Sequence, residues 1–372
     1  MVYFDNAATS RPKPEVVTAA FMEYVQSIGT SPGRGSYSLG ISASRMLYQS
    51  RKTVTNFFGC SQKTNVVFTK NSTEAINLFL NGYLQPGDHV LISPFEHNAV
   101  LRPLHYLSLY NGIKYDVLSE AAIHDVDEFK KALLPNTRLV CITLASNLTG
   151  EIIYNRALGR TCALCHIPVF VDASQGGGKM LVKMQNDYID YLAFTGHKDL
   201  LCLPGVGGLC SNAPLRIRPL IQGGTGIHGE EFVNPDIYPE AYESGTLNMP
   251  AIWALKTSIE YIKENHLDII KQENDLLHHL INGLRDIKNV EVIRPEVNRV
   301  PTICFNVHGK ASSDVVAFLD KNGICARGGI HCAILAHQTI GTVKTGAVRI
   351  SLNYNNTHEE IDFLLDVLRE MK

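Results

Sequence analysis

Lys198, in the run Thr195-Gly196-His197-Lys198, follows the short apolar stretch Tyr191-Leu192-Ala193-Phe194. Asp172 closes an earlier apolar run, Pro168-Val169-Phe170-Val171. Each reads as a residue at a strand end, the edge where α/β enzymes place their chemistry. An amine and a carboxylate at such edges are the pair that pyridoxal 5'-phosphate requires. The lysine carries the cofactor as a Schiff base, and the carboxylate keeps the pyridine nitrogen protonated so that the ring accepts electrons. A lysine after a strand is by itself an ordinary solvated charge; the partner at Asp172 is what distinguishes this one.

Asn71-Ser72-Thr73-Glu74 lies between a strand-like run and a helix-like one. Two hydroxyls and the free amides of a first helical turn make an anion site suited to a phosphate. The same residues serve equally as a plain helix cap, with Ser72 or Thr73 as the capping side chain. The glycine-rich Gln175-Gly176-Gly177-Gly178-Lys179 does not make a nucleotide loop, because position 173 is alanine and Met180 replaces the required Ser or Thr. Gly205-Val206-Gly207-Gly208 lacks the dinucleotide spacing. Cys162-Ala163-Leu164-Cys165-His166 has metal-like spacing without a second Cys-x-x-Cys to complete four ligands. A non-enzymatic thiol or metal module built on it is the reading from a different class; no metal site is expected.

These residues need elements to hold them. The 372-residue chain exceeds what one core usually supports, so two units are expected, 15–260 and 261–372 with 1–14 joining the second. In the first, short β-rich runs alternate with helix-like ones: Val66–Thr69, His89–Ile92, Lys114–Leu118 and Leu139–Leu144 are separated by stretches such as Ala99–Tyr110, Val126–Leu134 and Ala157–Cys165. This rhythm predicts a mostly parallel sheet covered by helices on both faces, with right-handed crossovers. After Met249-Pro250 the pattern changes to a long helix over about 251–287, broken near Asn265-His266. Strands follow at Val290–Ile293, Thr302–Val307 and Val348–Leu352, with a helix capped by Ser312 between them and a capping box at Thr357-His358-Glu359-Glu360. That is a smaller α+β layer.

Composition closes off other classes. Apolar residues make up 45% and charged residues 19%, with net charge −2, so no basic excess exists to neutralise nucleic-acid phosphates. No apolar run approaches the ~20 residues needed to span a bilayer. The start lacks a basic segment followed by an apolar one, and the nine cysteines are scattered and odd in number. The expectation is a cytoplasmic protein with reduced thiols.

Taken together, these motifs resemble the class V aminotransferase-type, fold-type I pyridoxal phosphate enzymes, specifically the cysteine desulfurases and selenocysteine lyases. The resemblance runs from Tyr3-Phe4-Asp5-Asn6-Ala7-Ala8-Thr9 to the last helix. It implies a large domain with a mostly parallel seven-stranded sheet and a smaller α+β C-terminal domain. It implies Lys198 as the Schiff-base lysine, Asp172 as partner of the pyridine nitrogen, and Gln175 at the phenolic oxygen. His97, in Phe95-Glu96-His97-Asn98, matches the histidine stacked on the ring, and Asn147 an asparagine near substrate and cofactor. Ser72, Thr73, Thr195 and His197 fall where the phosphate is held. Thr246 matches a threonine reaching the phosphate of a neighbouring subunit, which implies a homodimer. Structural roles exist for the same residues: a strand-end histidine, turn residues at Asn147 and Gln175, a cap at Thr246.

In the C-terminal layer, Ala326-Arg327-Gly328-Gly329-Ile330-His331-Cys332-Ala333 resembles the family's segment with a catalytic cysteine, and Val348-Arg349-Ile350-Ser351 the strand whose arginine clamps the substrate carboxylate. Arg327 is expected beside the substrate as well, and positive charge from Arg327 and His331 is expected to favour the Cys332 thiolate; the alternative is an inert buried thiol. Asn71 stands where glycine is usual. Seventeen positions separate Cys332 from Arg349 (349 − 332), which resembles the subgroup lacking a long mobile cysteine loop. The implied reaction turns L-cysteine into L-alanine and leaves sulfur on Cys332, for passage to a sulfur- or selenium-acceptor protein. Selenocysteine lyase is the alternative, with L-selenocysteine as substrate, and a plain aminotransferase or epimerase the next.

Overall fold

The computed structural model describes residues 1–33, 35–60, 66–212 and 215–371; Lys372, the end of the expected second unit, lies outside the described residues. The larger sheet has seven strands, in spatial order Val66–Thr69, Gly207–Ser211, Tyr191–Thr195, Val169–Asp172, Thr137–Thr143, His89–Ile92 and Lys114–Val117. Gly207–Ser211 runs antiparallel to both its neighbours, and every other adjacent pair is parallel. The inner strands are buried and largely apolar on both faces, as a sheet sandwiched between helices requires, while the edge strand Lys114–Val117 is mostly exposed. One carboxyl edge therefore carries the ends of five strands, and Ser72, Thr73, His97, Asn147, Asp172, Gln175, Thr195, His197 and Lys198 lie at those ends or just beyond them.

The smaller sheet is antiparallel, in the order Arg327–Gly329, Ala347–Ser351, Thr302–Val307, Val290–Val292. The amino terminus joins it: Val2–Tyr3 pairs with Ile324–Cys325, and Asp5 bridges to Ser351. Helix Met249–Arg285 links the layers. Its first half packs Ile252, Leu255 and Ile259 into the core under the large sheet, and its second half packs Leu276, Leu280 and Leu284 against the small one.

That helix is continuous through Asn265-His266, where a break was expected. Neither residue removes a backbone donor, Asn265 Nδ2 donates to the Tyr261 oxygen one turn back at 2.8 Å, and helix propensities of this kind cost only some tenths of a kcal/mol. Ser312 is the first helical residue rather than its cap; Ala311 holds the cap position, and the Ser312 hydroxyl donates to the Thr345 oxygen. The capping box at Thr357 and Glu360 forms. No helix among the described residues is long and apolar enough to cross a membrane.

Candidate active site

Asp172 ends its strand with Thr143 and Ala193 as lateral partners, and a cavity of about 190 Å³ opens over this edge. It is lined by Ser72, Thr73, His97, Asn147, Asp172, Gln175, Thr195, His197 and Lys198, together with Asn71, Thr143, Ala145 and Ser174. Nine residues singled out from sequence thus meet in one place. Thr246 does not join them; it is exposed and lines a separate cavity with Lys70, Glu74 and Leu220.

The phosphate-suited end is built as follows. Asn71, not Ser72 or Thr73, caps helix Ser72–Tyr83: its side chain accepts from the Glu74 amide at 3.0 Å, and Glu74 reaches back to the Lys70 amide. Asn71 has extended backbone (φ −170°), so the usual glycine is not needed there. Close approach is allowed instead from the facing strand, where a Cβ on Gly207 would lie 2.8 Å from the Asn71 Cα. Relieved of capping, the Ser72 hydroxyl lies 2.7 Å from Ser174 Oγ, whose own proton goes to Asp172. The Thr195 hydroxyl is buried without a partner among the described residues. A phosphate at the positive end of this helix would satisfy it.

Asp172 is oriented by the turn that follows it. Ser174 donates to Oδ1 through its amide (2.9 Å) and hydroxyl (2.5 Å). Sequence reasoning passed over Ser174, although Asp followed two residues on by Ser is an Asx-turn signature. The glycines after Gln175 are structural: a Cβ on Gly178 would sit 2.0 Å from the Asp199 oxygen.

The Lys198 side-chain amine makes no hydrogen bond or ion pair among the described residues; burial lowers its pKa, and Asp172 acts in the opposite sense. The loop before it is pinned at the His197 oxygen, which accepts from the Ser10 amide (3.0 Å), Thr9 Oγ1 (3.1 Å) and Lys13 Nζ (2.7 Å). Gln175 Nε2 donates to the Ala7 oxygen at 2.8 Å. The amino-terminal strap, unassigned from sequence, therefore touches both the lysine loop and Gln175.

His97 caps helix Asn98–Tyr110, with Nδ1 accepting from the Ala99 amide at 3.0 Å. The ring proton then lies on Nε2. Burial, and next Lys198, lower its pKa to about 4, so it is neutral near pH 7. Beneath it Glu96 is fully buried, its Oε1 accepting from Ser93 Oγ and the Thr143 amide while Oε2 has no partner. Burial raises that carboxyl to about 8.

The C-terminal layer is tied to the cavity wall through Asn147, which lines it, and through Asn98, next to cavity-lining His97. Asn147 Nδ2 donates to the His331 oxygen, and the Asn98 amide to the Cys332 oxygen, each at 2.8 Å. His331 and Cys332 are both left-handed, φ 55° each, a conformation that costs a non-glycine residue roughly 1–2 kcal/mol. Nothing in the sequence signalled it. Cys332 is half-buried, whereas Cys162, Cys202, Cys210 and Cys304 are buried thiols with raised pKa values. His331 departs from expectation: burial, then Arg349, lowers it to about 3, so it is neutral and lends Cys332 no charge. Arg327 is exposed on the edge strand, opposite Arg349, and is the cation remaining there.

Arg349 is buried behind Asn147, donating through Nη1 to the Asn147 oxygen at 2.8 Å and through Nη2 to Asp5. Cys162 and Cys165 sit at the end of helix Arg156–Leu164, one buried and one exposed. No group of three or more His, Cys, Asp or Glu with metal-binding geometry occurs among the described residues.

The donors fit pyridoxal phosphate: a lysine amine with no partner among the described residues, a fixed carboxylate, a helix start bearing the hydroxyls of Ser72 and Thr73, and orphaned polar atoms on Thr195 and Asn147. Comparison with known proteins agrees. The family model described as aminotransferase class-V matches residues 2–364. A protein of Methanothermobacter thermautotrophicus named a probable cysteine desulfurase is 33% identical over all of this chain and 94% of its own. One of Borreliella burgdorferi with the same name is 29% identical over all of this chain and 92% of its own. The apo structure of a cysteine desulfurase from Thermococcus onnurineus superimposes with TM-score 0.89 at 30% identity, covering all of this chain and 94% of that one.

Proposed function

The chain belongs to the class-V aminotransferase family, and we propose that it is a pyridoxal phosphate-dependent cysteine desulfurase using Lys198 and Cys332. One observation carries this reading: the Cys332 segment is hydrogen-bonded through the oxygens of His331 and Cys332 to Asn147, which lines the Lys198–Asp172 cavity, and to Asn98, the chain neighbour of cavity-lining His97.

Bound pyridoxal phosphate would supply a carbonyl carbon for amines and an electron sink for the substrate Cα. The residues do the rest. Ser72, Thr73, Thr195 and His197, with the amides of the helix start, would hold the phosphate. Asp172, fixed by Ser174, would hold a proton on the ring nitrogen, and Gln175 would donate toward the phenolic oxygen. Arg349, next to Asn147, binds the substrate carboxylate, and Arg327 adds positive potential at the mouth. Lys198, whose pKa burial lowers, takes the Cα proton as a base. Neutral His97, on the cavity wall, would face the bound ring and move a proton at the substrate sulfur through Nε2. Cys332 Sγ attacks that sulfur as a thiolate: the Sγ–S bond forms, the Cβ–S bond breaks, and its electron pair goes to the carbon skeleton, which takes up protons and leaves as L-alanine. The persulfide on Cys332 is then passed to an acceptor protein.

Selenocysteine lyase uses the same groups, with L-selenocysteine in place of L-cysteine and a selenium acceptor. A homodimer completes the proposal. Thr246 reaches a neighbour's phosphate, and exposed Leu220, Ile221, Phe232 and Val233 on the same stretch of chain supply apolar surface to bury. Sedimentation at micromolar concentration is expected to give one dimeric species. The test of function is alanine release by cofactor-loaded protein from L-cysteine and from L-selenocysteine. Release from cysteine supports the desulfurase, release from selenocysteine alone the lyase, and release from neither rejects both.

A further inference from the structure

Asp5 is held against the small sheet by its bridge to Ser351, and its Oδ1 lies 2.5 Å from Arg349 Nη2. Arg349 Nη1 already donates to the Asn147 oxygen, while Nε is sealed from solvent without a partner among the described residues. The guanidinium side chain is 2% exposed and the Asp5 side chain 21%. The parallel N–H pair that a carboxylate prefers is thus not free: a carboxylate arriving from the exposed side meets Nη2 where Asp5 sits. Two carboxylates on one guanidinium also repel each other.

We propose that Asp5 is a resident counter-ion of Arg349 that the substrate carboxylate displaces, and that it sets how tightly the site holds carboxylates. This rests on the reading of Arg349 as the carboxylate-binding residue. Asp5 keeps the buried cation paired while the site is empty, when an unpaired one would be costly. It also discriminates against simple acids, which gain from Arg349 alone, relative to a substrate that is held through its amine as well.

The test is calorimetric titration of the holoenzyme with 3-mercaptopropionate, which has the substrate's carboxylate and thiol but no amine, and with its neutral amide. Asp5→Asn is expected to tighten the acid about tenfold, the factor that goes with sparing one charge-assisted hydrogen bond, and to leave the amide unchanged. Equal or weaker binding of the acid overturns the proposal. Arg349→Gln separates the failures: loss of acid binding there with no gain in Asp5→Asn sinks the Asp5 role alone, whereas acid binding that survives in Arg349→Gln sinks the carboxylate reading of Arg349 too. If Asp5→Asn does not fold, a crystal of the wild-type holoenzyme with 3-mercaptopropionate decides. Asp5 turned away from Nη2 supports displacement, and Asp5 still paired there contradicts it.

Discussion

Asn147 donates its side-chain amide to the main-chain oxygen of His331 across 184 positions of sequence, so a residue in the turn after strand Thr137–Thr143 fixes the backbone immediately before Cys332. The Asn98 amide fixes the oxygen of Cys332 itself. A left-handed pair of non-glycine residues persists only where its surroundings over-determine it, and these two bonds do so.

Asn147→Ala is therefore expected to lower stability by about 1–3 kcal/mol, the range for a buried hydrogen bond whose partner is left unsatisfied. It should also slow alanine formation while leaving the visible absorbance of the bound cofactor in place. Thermal melts and absorbance spectra of the two proteins check both parts.

Lys198→Ala is expected to lose the visible absorbance of lysine-bound pyridoxal phosphate, and turnover with it. A variant that kept the wild-type spectrum would place the cofactor on another lysine.

Ser174 gives a sharper test of the carboxylate. Its two bonds to Asp172 and its contact with Ser72 join the ring-nitrogen end to the phosphate end of the cavity. Loss of the hydroxyl in Ser174→Ala removes one charge-assisted bond, and cofactor affinity measured by equilibrium dialysis should weaken by about tenfold.

The buried titratable groups predict opposite pH trends. His97 and His197 are held near 4 and His331 near 3, against an ordinary 6.5, so the unfolded chain binds more protons below that value. Their contribution to stability is complete above pH 6.5 and is lost as pH falls toward 3. Glu96 is raised to about 8 from 4.5, so its contribution is complete below pH 4.5 and is lost as pH rises through 8. Glu96→Gln should therefore gain in melting temperature relative to wild type at pH 9 but not at pH 4. A constant difference across that span would contradict the assignment.

The sequence made the large sheet legible because its strands are short apolar runs ending in turn residues, and Asp172 and Lys198 sit at those ends. The site residues it revealed are side chains with distinctive chemistry. Asp5, Ser174 and the strap through Lys13 escaped it, since their roles arise from pairing with residues more than a hundred positions away or, for Ser174, from an unremarked turn. The neutral state of His331 escaped it for a related reason: adjacency in sequence suggested a charge that burial removes. The helix running through Asn265-His266 shows weak local propensity yielding to two cores that grip the helix on either side.

The central claim is that Cys332 receives the substrate's sulfur. Intact and peptide mass spectrometry of cofactor-loaded protein after turnover with L-cysteine tests it directly. One added sulfur atom on Cys332, absent from Cys332→Ala, which should still bind cofactor but make almost no alanine, is the predicted result. Sulfur found on Cys325 or another thiol with none on Cys332, or undiminished alanine formation by Cys332→Ala, would contradict it.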